Sequence, residues 1–249
     1  MGTRCRVAVA VLVITAWAMP AVAEVITLNY VVHVTQRAGI VGLLDATAPD
    51  PRIGGLQTTA FTDFDLTFNL TATFEVNIAE SPEPFGLRIN FGTPTFSPIP
   101  IPYPNLAIFG GTHEASAYGS TAPLLFHDDP YVRRWGLGFI ETRYGPIAGF
   151  PDQSVLLAQN WMTLQSILPE DGTPLTLENY LTQVRTDLPF DLVTWSFDNV
   201  LTEQFTSDSY VYRGTAHFVA QPVPEPTTVS LVTLGLVGLL AGGRRRRTG

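Results

Sequence analysis

The clearest pattern in the chain is a strict alternation over residues 64–78. Phe64, Leu66, Phe68, Leu70, Ala72, Phe74, Val76 and Ile78 interleave with Asp65, Thr67, Asn69, Thr71, Thr73, Glu75 and Asn77. A period of two places the apolar set on one face and the polar set on the other, which predicts a long, half-buried β-strand. Residues 25–35, 85–91, 132–142, 190–197 and 209–220 are further strand candidates. Turn residues punctuate these runs at Asp50-Pro51, Gly54-Gly55, Ser81-Pro82, Gly110-Gly111, Asp129-Pro130 and Asp171-Gly172. Residues 93–105 hold five prolines, so that stretch predicts an extended loop or edge segment and not a central strand. One helix is predicted, over 175–186, where Leu177, Tyr180, Leu181 and Val184 follow the i, i+3, i+4, i+7 spacing. Many strands with one short helix predict a mainly β fold, a two-sheet β-sandwich or jelly-roll, for residues 24–220.

Outside that region the pattern changes to two continuous apolar segments, each beside a basic cluster. Arg4 and Arg6 precede the apolar run of residues 7–17 (VAVAVLVITAW), then Pro20 and Ala21-Val22-Ala23. A charged start, a short apolar core and a small-x-small site are the parts of a secretory signal peptide over residues 1–23. Signal peptidase is expected to cut between Ala23 and Glu24. Cys5 precedes the apolar core and leaves with it. The mature chain then has no cysteine, which excludes disulfides, a thiol nucleophile and a cysteine-bound metal.

The other segment lies in residues 221–249. Val223, Pro224, Glu225 and Pro226 precede the apolar residues 227–243, and Arg244, Arg245, Arg246 and Arg247 follow. As a helix, residues 227–243 would span about 25 Å, slightly less than a bilayer core of about 30 Å. The arginine side chains extend the span to the interface, and the Arg cluster is expected to stay cytoplasmic. This tripartite tail resembles the PEP-CTERM sorting signal of Gram-negative bacteria. The resemblance implies recognition by an exosortase, an integral-membrane transpeptidase-like enzyme, with Pro224, Glu225 and Pro226 as the motif. It also implies a precursor anchored in the inner membrane, later passed to the envelope, surface or extracellular matrix, in bacteria associated with exopolysaccharide and biofilms. A plain single-span anchor, with the prolines as a stiff linker, is the alternative.

Charge supports the topology and narrows the partners. All fourteen basic residues are arginine, and six of them lie in the two terminal clusters. Eight arginines therefore face 22 acids across the rest of the chain, a balance that argues against a nucleic-acid binder. Candidate chemistry is sparse. His33, His113, His127 and His217 show no metal-ligand spacing, and no nucleophile elbow or phosphate loop is present. The His127-Asp128-Asp129-Pro130 run reads more readily as a solvated turn than as a calcium site, and no cofactor is expected. Glu141 with Asp128 or Asp129 is a nominal carboxylate pair for a hydrolase. Trp135, Trp161 and Trp195 are candidates for a sugar-stacking platform, Trp195 pointing into the core by its alternation with Val193 and Phe197. Arg133-Arg134-Trp135 would equally be an arginine stacked on tryptophan. Thr67, Asn69, Thr71 and Thr73 form the kind of row an ice-binding face needs, although threonine is common on β surfaces. The expectation is a non-enzymatic structural or exopolysaccharide-associated protein, with a secreted carbohydrate-active enzyme as the alternative.

Overall fold

The computed structural model describes residues 24–43, 55–83, 86–103, 111–121, 132–147, 150–169, 172–199 and 204–220. Twelve strands are found among them: β1 (Val25–Gly42), β2 (Gln57–Thr58), β3 (Thr62–Glu75), β4 (Ala79–Glu83), β5 (Gly86–Gly92), β6 (Thr95–Phe96), β7 (Thr112–Ser120), β8 (Val132–Ile147), β9 (Phe150–Pro169), β10 (Leu188–Asn199), β11 (Gln204–Phe205) and β12 (Tyr210–Phe218). One helix, α1 (Leu177–Val184), interrupts them. The chain divides into two units, Met1–Val219 and Ala220–Gly249. The expected mainly β fold with one short helix is present. The expected pair of sheets is not: the strands form one hydrogen-bonded sheet in the order β4-β5-β7-β8-β9-β10-β12-β1-β3-β6, with β2 and β11 as short flaps on β1 and β10.

That sheet curls until β3 and β5 meet. The Asn77 N–H, just past β3, donates to the Phe91 carbonyl of β5 at 2.9 Å. A Cβ built on Gly92 would lie 2.4 Å from the Glu75 carbonyl oxygen, so this close approach requires glycine. Curling gives the long strands a shared inner face, which a flat sheet of this size could not do.

The alternating residues of β3 pack inward, as their period predicts. Phe68, Leu70, Ala72 and Phe74 join Leu28, Tyr30 and Val32 of β1, Leu137 and Phe139 of β8, and Phe190 and Leu192 of β10 in one core. Helix α1 plugs one end of it. Thr176 caps its N-terminus by accepting from the Asn179 N–H. Tyr180 is fully buried, its ring stacked on Phe91 at 4.5 Å and its hydroxyl donating to the Gly136 carbonyl at 3.2 Å. Tyr30 donates to the Val184 carbonyl at 2.6 Å, satisfying the helix C-terminus from within the sheet.

A bulge in β1 reverses its faces. The partners on β12 step from Gly214 to Arg213 while β1 steps from Val34 to Gln36, so Thr35 is the extra residue. Before it, Val32 and Val34 point into the main core. Beyond it, Ile40 points outward into a second cluster with Val193, Trp195 and Val211, and Arg37 turns inward.

Candidate functional site

The end of the sheet away from α1 is not filled. A cavity of about 770 Å³ opens there, lined by Arg37, Phe64 and Leu66 of β1 and β3, Thr194 and Ser196 of β10, Tyr210 and Tyr212 of β12, and the proline-rich residues 100–103. The proline-rich stretch supplies only the two-residue edge strand β6 against β3, in keeping with the expected loop or edge. It then crosses the opening: Ile99 and Ile101 enter the core, and Phe96 and Tyr103 reach Phe139 of β8 at 5.7 and 6.3 Å between ring centroids.

Each polar side chain of the cavity is placed by its strand. The β1 bulge sets the Arg37 guanidinium over the rings of Tyr210 (4.8 Å) and Phe64 (5.2 Å), a cation–π arrangement that holds it without a carboxylate. Burial raises the Tyr212 phenol above the ordinary tyrosine range, more than the nearby Arg37 lowers it, so Tyr212 stays a hydroxyl at neutral pH. Ser196, Thr206 and Ser209 form a hydroxyl chain with 3.1 Å links at the rim. Asp208 stands exposed in the adjoining turn. Thr194 is 1% exposed, and its Oγ1 has no hydrogen-bond partner. A buried hydroxyl without a partner is costly and uncommon in a folded protein.

The polar lining continues around the inner face by strand register. Tyr210 is opposite Thr194, Thr194 opposite Asn160, Asn160 opposite Glu141, and Glu141 opposite His113. Asn160 donates to Glu141 Oε2 at 3.0 Å, and His113 Nδ1 lies 3.2 Å from Oε1. The Glu141 side chain is 12% exposed. Both carboxylate oxygens are thus engaged. Burial, and then the Glu141 charge, raises the Tyr103 phenol as well.

The structure distributes the sequence candidates unevenly. Of the cleavage-site residues, Ala21 and Ala23 lie outside the described residues; the Glu24 carbonyl accepts from the Val76 N–H at 2.9 Å. Val223, Pro224, Glu225 and Pro226, the span 227–243, Arg244, Arg245, Arg246 and Arg247, and the run His127 to Pro130 also lie outside them. No helix among the described residues is long and apolar enough to cross a membrane. Among the same residues no cluster of three or more His, Cys, Asp or Glu could hold a metal.

The three tryptophans do not form one platform: Trp161 packs against the outer cluster that holds Trp195, and Trp135 lies in the main core. Trp135 is buried beside Tyr180, with Arg133 5.9 Å above its ring. Trp195 is buried as expected, but in the outer cluster with Phe197 and Phe205. Trp195 also borders the cavity, together with Phe64, Tyr103, Tyr210 and Tyr212, which no linear motif marks. The threonine row is largely tied to β1: Thr71 donates to Asn29 Oδ1 at 2.9 Å, Thr67 Oγ1 lies 2.8 Å from His33 Nδ1, and Thr73 Oγ1 lies 3.5 Å from Thr27 Oγ1. The fold also brings His33 within 5.3 Å of His217, which pairs with Asp187 at 2.9 Å, a grouping that sequence spacing did not signal.

No curated protein and no solved structure matches the chain. The family model for the PEP-CTERM protein-sorting motif matches residues 222–247. Those residues begin just past β12 and contain the whole Pro-Glu-Pro, apolar and Arg-cluster arrangement. The chain therefore carries a PEP-CTERM protein-sorting motif over residues 222–247, which implies export, exosortase processing and sorting to the surface.

Proposed function

We propose that the chain is exported as a precursor by its N-terminal signal peptide and held transiently in the inner membrane through residues 227–243. An exosortase then passes it to the envelope, surface or extracellular matrix of a Gram-negative bacterium. There the barrel serves as a non-enzymatic structural or exopolysaccharide-associated component. The observation that carries this reading is the match to the PEP-CTERM motif over residues 222–247. Arg4 and Arg6, the apolar run of residues 7–17 and Ala21-Val22-Ala23 support export at the other end. The test is the intact mass of the protein from the envelope and the medium of its native host. A chain running from Glu24 to near Pro226 is the expected result. A chain from Glu24 to Gly249, found in the membrane fraction alone, would instead mean a plain anchor.

One arrangement favours the enzymatic alternative enough to test it. Glu141 is a partly buried carboxylate beside His113, the type of group a glycosidase would use as an acid. Turnover on a glycan panel that disappears in Glu141→Gln would replace the binding role with a catalytic one. The contacts from Asn160 and His113 to both carboxylate oxygens favour a structural role for Glu141.

A further inference from the structure

We infer that the cavity at the open end of the barrel is a binding site for a single neutral sugar residue, with Thr194 as its innermost hydrogen-bonding group. This deepens the matrix-component reading and rests on it only for the source of the sugar. The chemistry comes from the cavity itself. Its walls offer apolar surface from Phe64, Leu66 and Ile101, which suits the C–H face of a pyranose. Its rim offers hydroxyls from Ser196 and Thr206, which suit the sugar's equatorial edge.

Charge argues for a neutral ligand. Arg37 and Asp208 both line the cavity, so an anion meets Asp208 and a cation meets Arg37. The Arg37 charge is already placed over two aromatic rings. A hydrocarbon chain fits less well, because it would leave the buried Thr194 hydroxyl unpaired and add desolvation of the rim. A sugar hydroxyl supplies the partner that Thr194 Oγ1 lacks in the free protein. The volume of about 770 Å³ lies within the range of small-molecule sites.

The experiment is calorimetric titration of the full chain in micelles of a zwitterionic, non-glycosidic detergent. The probes are the methyl pyranosides of glucose, mannose and galactose, the methyl glycoside of glucuronic acid, and decanoate. At least one neutral hexoside should bind saturably and more tightly than either anion. Thr194→Val should weaken that binding about ten-fold, the worth of one buried hydrogen bond, while the melting temperature holds or rises. A hydroxyl with a purely structural role would instead lower the melting temperature and leave affinity unchanged. Asp208→Asn, in an exposed turn, gives a second readout if the valine variant fails to fold; weaker binding supports the site, and unchanged binding overturns it. No binding of any neutral hexoside, or tighter binding of glucuronide or decanoate, overturns the inference. The sorting reading would survive that result, because its test is the mass at the chain ends.

Discussion

Tyr180 and Tyr30 tie α1 to the sheet through buried phenols, and burial raises both above the ordinary tyrosine pKa of about 10. A group that holds its proton more tightly when folded contributes its full stability below the unfolded pKa and loses it as pH rises. Stability is therefore expected to fall above about pH 10, by about 1.4 kcal/mol per pH unit for each phenol. Urea unfolding at a series of alkaline pH values measures this, and the slope should shrink in Tyr180→Phe. At neutral pH that variant loses one hydrogen bond, about 1 kcal/mol. Tyr180→Ala empties the space between Phe91, Phe74 and Trp135 and should cost about 3–5 kcal/mol. Equal unfolding midpoints for the Phe and Ala variants would show that the ring does not support the core.

Two local irregularities decide what the strands can do. The Thr35 bulge turns Arg37 into the cavity and Ile40 into the outer cluster. Deleting Thr35 should remove the bulge and keep both the β12 register and the two faces, because Gln36 would then follow Val34 just as Arg213 precedes Gly214. A melting temperature lowered only slightly is the expected outcome; a large loss would mean that β1 needs the bulge itself to bend. Gly92 is the second irregularity, since any side chain there meets Glu75 and the Phe74 ring. Gly92→Val should cost about 1–3 kcal/mol through forced separation of β3 from β5, read as a lower urea midpoint. Hydrogen exchange at the Asn77 amide should rise with it.

At the scale of the molecule, the described barrel ends at residue 220 and the sorting match starts at 222. Folding and sorting are then expected to separate cleanly. Replacing Pro224, Glu225 and Pro226 together with alanine should leave the melting temperature unchanged, because none belongs to a described strand. In the native host the same variant should accumulate uncleaved in the membrane fraction. Normal processing of that variant would remove the motif's role in recognition.

Some of this protein was legible in order along the chain. The period of two in β3 appeared because one face meets a single core and the other meets water. The helix appeared because Tyr180 and Val184 lie on one face of it, and the tail because its three parts are contiguous. Strands β7 and β9 were missed for opposite reasons. The inner face of β7 is Ala115, Ala117 and Gly119, small because Trp135 and Leu175 occupy the space before it; a Cβ on Gly119 would sit 3.1 Å from each. In β9, Leu156 packs into the outer cluster and Met162 and Leu164 into the inner one, so the alternation dissolves. The cavity was not legible at all: Arg37, Phe64, Thr194 and Tyr210 come from four strands and share no spacing. Local pattern by itself determined strand, helix and sorting signal, because each depends on neighbours in the chain. Only the tertiary structure decided that one sheet would curl in place of two stacking, and which polar groups would meet at its open end. Those outcomes depend on a bulge, a glycine contact and long-range register, which act between residues far apart in sequence.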